Sequence, residues 1–326
     1  MSEALVRRAV MTGIGRYLPE RVVSNDEMAT MVDTSDAWIT ERSGIKQRHF
    51  AAAHETASFM AAAAARGALA AAGVAAAAVD AIIVATSTPD TAFPATAVHV
   101  QAMIGAKKAF GFDLAAACSG FVYAVSVADA MIRAGQVACV LVIGSEVYSR
   151  ILNFTDRGTC VLFGDGAGAI LLEARDVTRD GAGVLSTHLH ADGTLAEMLY
   201  VDGAVGLPEK SGKLVMNGRE VFRNAVTLLA SAVKEALDAN GLTSDDISWL
   251  VPHQANRRII DAVSKKLGFS ADRVVITVDR HANTSAASIP LAMWEAWHDG
   301  RIRPGQLVLL EALGGGLTWG SVLLRI

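Results

Sequence analysis

Residues 109–135 read AFGFDLAAACSGFVYAVSVADAMIRAG. An apolar, β-rich run leads into Cys118, and the following stretch has helical periodicity and stops at Gly135, 17 positions after the cysteine. Residues 273–300 read RVVITVDRHANTSAASIPLAMWEAWHDG. They have the same form, a β-rich run into Asn283 and a helical stretch that stops at Gly300, again 17 positions on. A strand that turns directly into a helix is thus written twice.

The match extends outward in both directions. Before the first unit, a helical stretch from Glu55 ends at Gly73, and Ile82 follows nine residues later in AIIVATS. Before the second, EVFRNAVTLLASAVKEALDANG ends at Gly241, and Leu250 follows nine residues later in ISWLVPH. Glycine suits a helix C-terminus because it tolerates positive φ. After each unit come an apolar run, CVLVIGSE or QLVLLEAL, and a glycine-rich turn with a strand, FGDGAGAILLEA or LGGGLTWGSVLLRI. Matched order and spacing predict an α/β protein of two similar halves, each a mixed sheet covered by helices. The boundary is expected in the polar stretch ARDVTRDGAG, giving halves 1–178 and 179–326.

Bulk properties narrow the function. The chain has 326 residues, is 52% hydrophobic and 19% charged, and carries a net charge of −4. Such a charge gives no support to nucleic-acid binding. The positive mean hydropathy, +0.35, owes much to alanine. No run reaches the roughly 18 uninterrupted apolar residues of a spanning helix. The start of the chain, MSEALVRRAVMTGIG, lacks the pattern of a signal peptide, so a cytoplasmic protein without membrane contact is expected. Three widely spaced cysteines, none paired at metal-ligand spacing, argue against a disulfide framework and against a metal site.

Among them Cys118 stands out. At a helix start, unpaired N–H groups and the helix dipole favour negative charge, so a thiol lowered towards its reactive thiolate is expected there. The small residues of AAACSG leave room for a substrate, whereas Cys139 and Cys160 lie in apolar β-rich runs and read as structural. His253 in VPHQAN and Asn283 lie at ends of strand-like runs in the second half. If the halves pack face to face, the three can converge. Gly13 and Gly15 in MTGIGRYLP lack the third glycine and the helix of a dinucleotide loop, and His54-Glu55 lacks the second histidine of a zinc site.

Longer segments add to these spacings. MVDTSDAWITERSGIKQRHFA, DLAAACSGFVYAVSVAD, TDRGTCVLFGDGAGA, VPHQANRRII, NTSAASIPLA and GRIRPGQLVLLEALGGGLTWGS resemble β-ketoacyl-acyl carrier protein synthase III, of the thiolase-like superfamily. The resemblance runs from Gly13 to the C-terminus. It implies a thiolase-like fold with two mixed five-stranded sheets layered α-β-α-β-α, and a decarboxylative condensation that initiates type II fatty acid synthesis. Cys118 would be acylated by a short acyl-CoA, with acetyl-CoA as the expected primer, and malonyl-acyl carrier protein would then condense on it. His253 and Asn283 would donate to the malonyl thioester oxygen, with the backbone N–H groups of Cys118 and Gly315 as oxyanion hole.

The resemblance also places substrate contacts. Trp38, Arg42 and Arg157 would hold the CoA adenine and phosphate, and Gly218, Phe222 and Asn256 would line the pantetheine tunnel. Arg223, Arg258, Lys265 and Lys266 would meet the acidic carrier protein. The implied assembly is a homodimer in which Phe93 closes the partner's acyl pocket, and acyl-CoA is a substrate, so no cofactor is implied. Three positions depart from the family pattern. Ala282 stands in place of the glycine of His-Gly-Asn, where an unusual backbone angle would make alanine costly. Leu313 replaces a bulky aromatic before the GGG turn, and Tyr148 lies near the expected acyl pocket. These bear on primer length, and a related starter-unit enzyme of secondary metabolism, with a longer or different primer, is the alternative reading.

Overall fold

The repeat emerges as two mixed sheets in the computed structural model, which describes residues 5–204, 206 and 209–326. The first sheet contains β1 (Val6–Tyr17), β2 (Ala81–Ala85), β3 (Phe110–Leu114), β4 (Cys139–Val147) and β5 (Asp165–Val177), in the order β1-β5-β4-β2-β3. The second contains β6 (Gly183–Ala191), β7 (Trp249–Pro252), β8 (Leu307–Gly314) and β9 (Thr318–Arg325), in the order β6-β9-β8-β7. β2 is parallel to both β3 and β4, while β5 runs antiparallel to β4 and β1. The second sheet repeats the scheme: β7 is parallel to β8, and β9 is antiparallel to β8 and β6.

Six helices complete five layers. Helices α1 (Ala57–Ala72) and α2 (Thr96–Ile104) cover the outer face of the first sheet, and α4 (Gly218–Asn240) and α5 (Arg257–Leu267) that of the second. Between the sheets lie α3 (Gly120–Arg133) and α6 (Ser288–His298). Their apolar faces, with Phe121, Val125, Ile132, Ile289 and Met293, form one cluster with Ile83, Val142, Leu310 and Val322 of the two sheets. Removing each such aliphatic side chain from water is worth about 1.5–3 kcal/mol, so this central layer fixes the halves to each other.

Local chemistry accounts for the helix ends. Thr56 accepts from the N–H of Phe59 before α1, and Asn217 from that of Glu220 before α4. Gly73, Gly241 and Gly268 close α1, α4 and α5 at φ 66°, 65° and 77°. The GIG of β1 has a packing role. A Cβ at Gly13 or Gly15 would stand 2.1 Å from the carbonyl oxygens of Ala68 and Ala64, so glycine lets the alanine-rich α1 lie directly on the strand.

One predicted strand is not formed. Of the residues leading to Asn283, Val274 alone among those described makes a bridge, to Leu250, and Val275 donates to the Leu250 carbonyl at 2.9 Å; Asn283 itself bridges to Phe163 of the other half. The chain then turns into a short helix, Val278–His281, so the second sheet has four strands where the resemblance implies five. The buried Gln254 side chain supplies the missing partners. Its Oε1 accepts from the N–H groups of Thr277 (2.8 Å) and Val278 (3.1 Å), and its Nε2 donates to the carbonyls of Pro252 (2.8 Å) and Val275 (3.0 Å).

Candidate active site

Cys118 sits where β3 turns into α3, on a single 3₁₀ turn, Ala117–Ser119. Ala117 has φ 46°, which folds the chain sharply and brings the sulfur to the start of α3. The glycine turn after β8 closes over it. A Cβ at Gly314 would lie 2.8 Å from the Cys118 nitrogen and 2.6 Å from the Ala116 carbonyl oxygen, so the turn carrying Gly315 approaches as only glycine allows.

The expected lowering of the thiol is not found. Burial, with the nearby Glu146 carboxylate adding to it, pushes Cys118 up to about 12. Desolvation penalises the thiolate more than the short helix start favours it, and no cation among the described residues offsets this. Cys139 and Cys160, read as structural, are buried and raised to about 11.

His253 follows Pro252, the last residue of β7, and is 6% exposed. Burial holds its imidazole down, at about 3, so the ring is neutral at physiological pH. Its Nδ1 lies 2.6 Å from the Ser288 hydroxyl, which also accepts the backbone N–H of Gln254 at 3.2 Å. Where Ser288 donates its proton to Nδ1, the ring proton sits on Nε2. Asn283 is oriented in the same manner: its Oδ1 accepts from the N–H of Ser285 at 2.9 Å, which leaves the amide NH2 as the group presented to the cavity. The residue is held by bonds between its own backbone and those of Leu162 and Gly164 in the other half (2.9 and 3.0 Å).

These groups share one cavity of about 550 Å³, with Cys118, His253 and Asn283 together on its wall. Leu313, Phe163 and Glu311 line it as well. Glu311 is fully buried, one of its carboxylate oxygens has no partner among the described residues, and burial raises it to about 8. At the outer end are Trp38, Arg42, Gly218, Phe222, Asn256 and Arg258. The Arg42 and Arg157 guanidinium groups lie 4.5 and 5.2 Å from the Trp38 ring centroid, and Arg157 is tied to the Asp33 carbonyl at 3.0 Å. Asn256 caps α5 through the N–H of Arg258 and donates to the Arg42 carbonyl, joining the two sides of the mouth. Arg258 stands over Phe222 at 5.8 Å.

Other expected residues lie elsewhere. Tyr148 is not on the cavity wall; it stacks at 4.9 Å on Phe163, which is, and its hydroxyl meets Ser285 at 3.1 Å. Phe93 is 85% exposed and does not line this chain's cavity. Arg223 is exposed and paired with Glu220. Lys265 and Lys266 are exposed in the last turn of α5, about 10 Å along the helix from Arg258. Ala282 does carry the unusual angle, φ 57° with ψ −159°, and is fully buried.

Sequence reading missed Gln254, Ser288, Ser285, Glu146 and Glu311. The one available signal was a lone glutamate inside each apolar run, GSE and LLEAL, where a charge needs a reason.

Comparison with known proteins converges on one family. The family description 3-oxoacyl-[acyl-carrier-protein (ACP)] synthase III matches residues 112–193, and its C-terminal counterpart residues 237–326. A β-ketoacyl-[acyl-carrier-protein] synthase III of Acidiphilium cryptum (strain JF-5) is 69% identical over 320 residues, covering 98% of this chain and all of that protein. The crystal structure of 3-oxoacyl-[acyl-carrier-protein] synthase III from Aquifex aeolicus VF5 superimposes with a TM-score of 0.93 at 44% identity, over 98% of this chain and 100% of the other. The priming β-ketosynthase of the R1128 polyketide biosynthetic pathway does so with a TM-score of 0.91 at 37% identity, over 100% of this chain and 98% of the other.

Proposed function

The chain belongs to the β-ketoacyl-acyl carrier protein synthase III family, condensing acyltransferases that initiate fatty acid synthesis, and on that premise we propose how its own residues divide the reaction. Cys118 is the nucleophile. It attacks the thioester of a short acyl-CoA, acetyl-CoA in the first instance, and releases CoA. The N–H groups of Cys118 and Gly315 receive the developing oxyanion. Malonyl-acyl carrier protein then enters, its carboxylate departs as CO2, and the resulting carbanion attacks the acyl-enzyme to give 3-oxoacyl-acyl carrier protein.

The observation that carries this reading is the pair of oriented neutral donors beside Cys118. With Ser288 donating to Nδ1, His253 carries its proton on Nε2, and Ser285 turns the Asn283 amide so that its NH2 faces the cavity. Two neutral N–H donors converging on a thioester oxygen stabilise an enolate as it forms, without a charge that would hold the malonyl carboxylate in place. The electron pair for the new bond comes from the departing CO2, so the chemistry calls for no cofactor. Residues 1–178 supply the nucleophile and 179–326 the donors.

The mouth suits CoA. Trp38, with the Arg42 and Arg157 guanidinium groups near its ring, offers a flat face and charge for adenine and phosphate, and Arg42, Gly218, Phe222 and Asn256 lead inward. Arg258 begins a basic surface, continued by Arg223, Lys265 and Lys266, for the acidic carrier protein. Phe110 is exposed on the outermost strand of the first sheet, β3, and Phe93 is exposed just before α2, the helix packed on that strand; the two support a homodimer through that edge. Among the described residues no helix is long and apolar enough to cross a membrane, consistent with a cytoplasmic enzyme. A starter-unit role with a longer primer is the second reading; it is favoured by Leu313 on the cavity wall and by the likeness to the R1128 priming enzyme.

Intact mass after incubation with acetyl-CoA, for the native chain and Cys118→Ala, tests the assignment. An acetyl adduct on the native chain alone, discharged as acetoacetyl-carrier protein by malonyl-acyl carrier protein, is the expected outcome. An adduct only with longer acyl-CoA moves the reading to the starter-unit enzyme, and none with any acyl-CoA removes Cys118 as nucleophile.

A further inference from the structure

A thiol buried as deeply as Cys118 must lose its proton to something when it attacks, and the neutral His253, held down by burial, is a poor acceptor. Glu146, the penultimate residue of β4, is fully buried, and its charge opposes ionisation of the Cys118 thiol. No cation pairs with it among the described residues. Neutral donors surround it instead. Its oxygens accept from the N–H of Ser87 (3.0 Å) and from the hydroxyls of Thr88 (2.6 Å), Ser87 (3.1 Å), Thr86 (3.3 Å) and Ser285 (3.0 Å). These bonds favour the carboxylate while desolvation opposes it, and burial prevails enough to raise the group to about 7.

Ser285 bridges the two. Its hydroxyl donates to Glu146 Oε1 at 3.0 Å and lies 3.1 Å from the Tyr148 hydroxyl, its 3₁₀ turn, Ser285–Ala287, packs on the Ala117–Ser119 turn that carries the sulfur, and the hydroxyl favours the Cys118 thiolate. Its backbone is fixed at φ 51° with its N–H on Asn283, so the bridge is held in place from the second half. The titratable groups facing Glu146 are Cys118 and the buried Tyr148, whose phenol burial keeps well above its usual range; the strand β2 side contributes only Thr86, Ser87 and Thr88.

We propose that Glu146, acting through the Ser285 hydroxyl, takes up the Cys118 proton during acyl transfer and returns it after condensation. The inference rests on Cys118 being the nucleophile. As the thiol attacks, its proton passes to Ser285 Oγ and the Ser285 proton to Glu146. The S–C bond to the acyl carbon forms, the acyl–S bond of acyl-CoA breaks, and the CoA thiolate takes a proton from water at the open mouth. In the second half-reaction the carbanion left by CO2 forms the C–C bond, the acyl–S bond to Cys118 breaks, and the departing thiolate recovers the proton from Glu146 through Ser285. The cycle consumes one solvent proton, as release of CoA thiol and CO2 requires.

The two half-reactions separate the relay from a structural role. Single-turnover CoA release from acetyl-CoA is followed between about pH 5.5 and 9, and CO2 release from malonyl-acyl carrier protein is followed on enzyme already acetylated. In the native protein acetylation slows about tenfold per unit below about pH 7 and is level above it. Glu146→Gln and Ser285→Ala each slow acetylation about 100-fold at pH 7 and shift its rise to alkaline pH, while CO2 release stays within about threefold. An unchanged acetylation rate and pH profile in Glu146→Gln overturns the relay and leaves the nucleophile intact, as does an equal fall of both half-reactions in both variants. Should Glu146→Gln fail to fold, Ser285→Ala decides alone. Absence of an acetyl adduct on the native protein overturns the nucleophile and the relay together.

Discussion

Cys118 and Asn283 occupy the same place in the two halves, yet the chain reaches them by different means. In both, the preceding residue is an alanine at positive φ, 46° at Ala117 and 57° at Ala282, and the central helices α3 and α6 begin within a few residues. The first elbow is fed by β3, paired with β2 over five residues. The second is fed by a segment with one bridge, whose backbone groups are taken by the Gln254 side chain. The buried glutamates differ likewise: Glu146 and Glu311 each lie 28 positions after their elbow residue, but one is cradled by five neutral donors and the other faces the cavity with an oxygen unpaired. What duplication retained is backbone shape at the elbow; the hydrogen-bonding that supports it was refitted to separate tasks.

The largest effects come from exchanging those tasks. Cys118→Ala abolishes the acetyl adduct, whereas Asn283→Ala leaves acetylation within a few-fold and slows CO2 release about 10²–10³-fold, the usual cost of one oxyanion donor. Equal loss of both half-reactions in Asn283→Ala would break the division of labour. Gln254→Leu, which orphans buried backbone groups of the second elbow, should cost about 2–4 kcal/mol by denaturant unfolding. A loss under about 0.5 kcal/mol would mean that the elbow is held by packing.

The glutamates give a pH test. Glu311 is raised when folded, so the folded state binds the extra proton between its ordinary carboxylate range and about pH 8. Stability therefore falls as pH rises through that window and levels off above it. Glu311→Gln should flatten this part of the stability curve, and an unchanged slope would place the buried proton elsewhere. The smallest effect concerns strain at the second elbow. Ala282→Gly should stabilise by about 1 kcal/mol, relief of positive φ exceeding the lost methyl contacts, read as a higher Tm. A lower Tm would show that the methyl packing outweighs the angle.

Much of the fold was legible in one dimension. The paired helices ending at Gly73 and Gly241, and the equal spacing from Cys118 and Asn283 to their closing glycines, located both halves and both central helices. RVVITVDRHAN misled because its β-branched residues report a preference for extended backbone, whereas a strand also needs a partner along its length, and Gln254 had taken that role. Of the site, Cys118, His253 and Asn283 were marked by their places in the repeat and by the longer motifs. Ser285 and Ser288 were not, since a serine in a helical run is unremarkable until its hydroxyl is seen against a ring nitrogen or a carboxylate.

The sequence by itself determined the order of elements, the duplication and the residue types that meet at the cavity, because periodicity, glycine placement and spacing are properties of the chain. Tertiary structure alone decided the protonation states on which the chemistry turns. A helix start predicts a lowered thiol, yet Cys118 is raised, His253 is neutral, and Glu146 and Glu311 titrate near neutrality. Those states follow from how completely water is excluded and which dipoles replace it, and both are sums over residues scattered through two halves that only packing brings together.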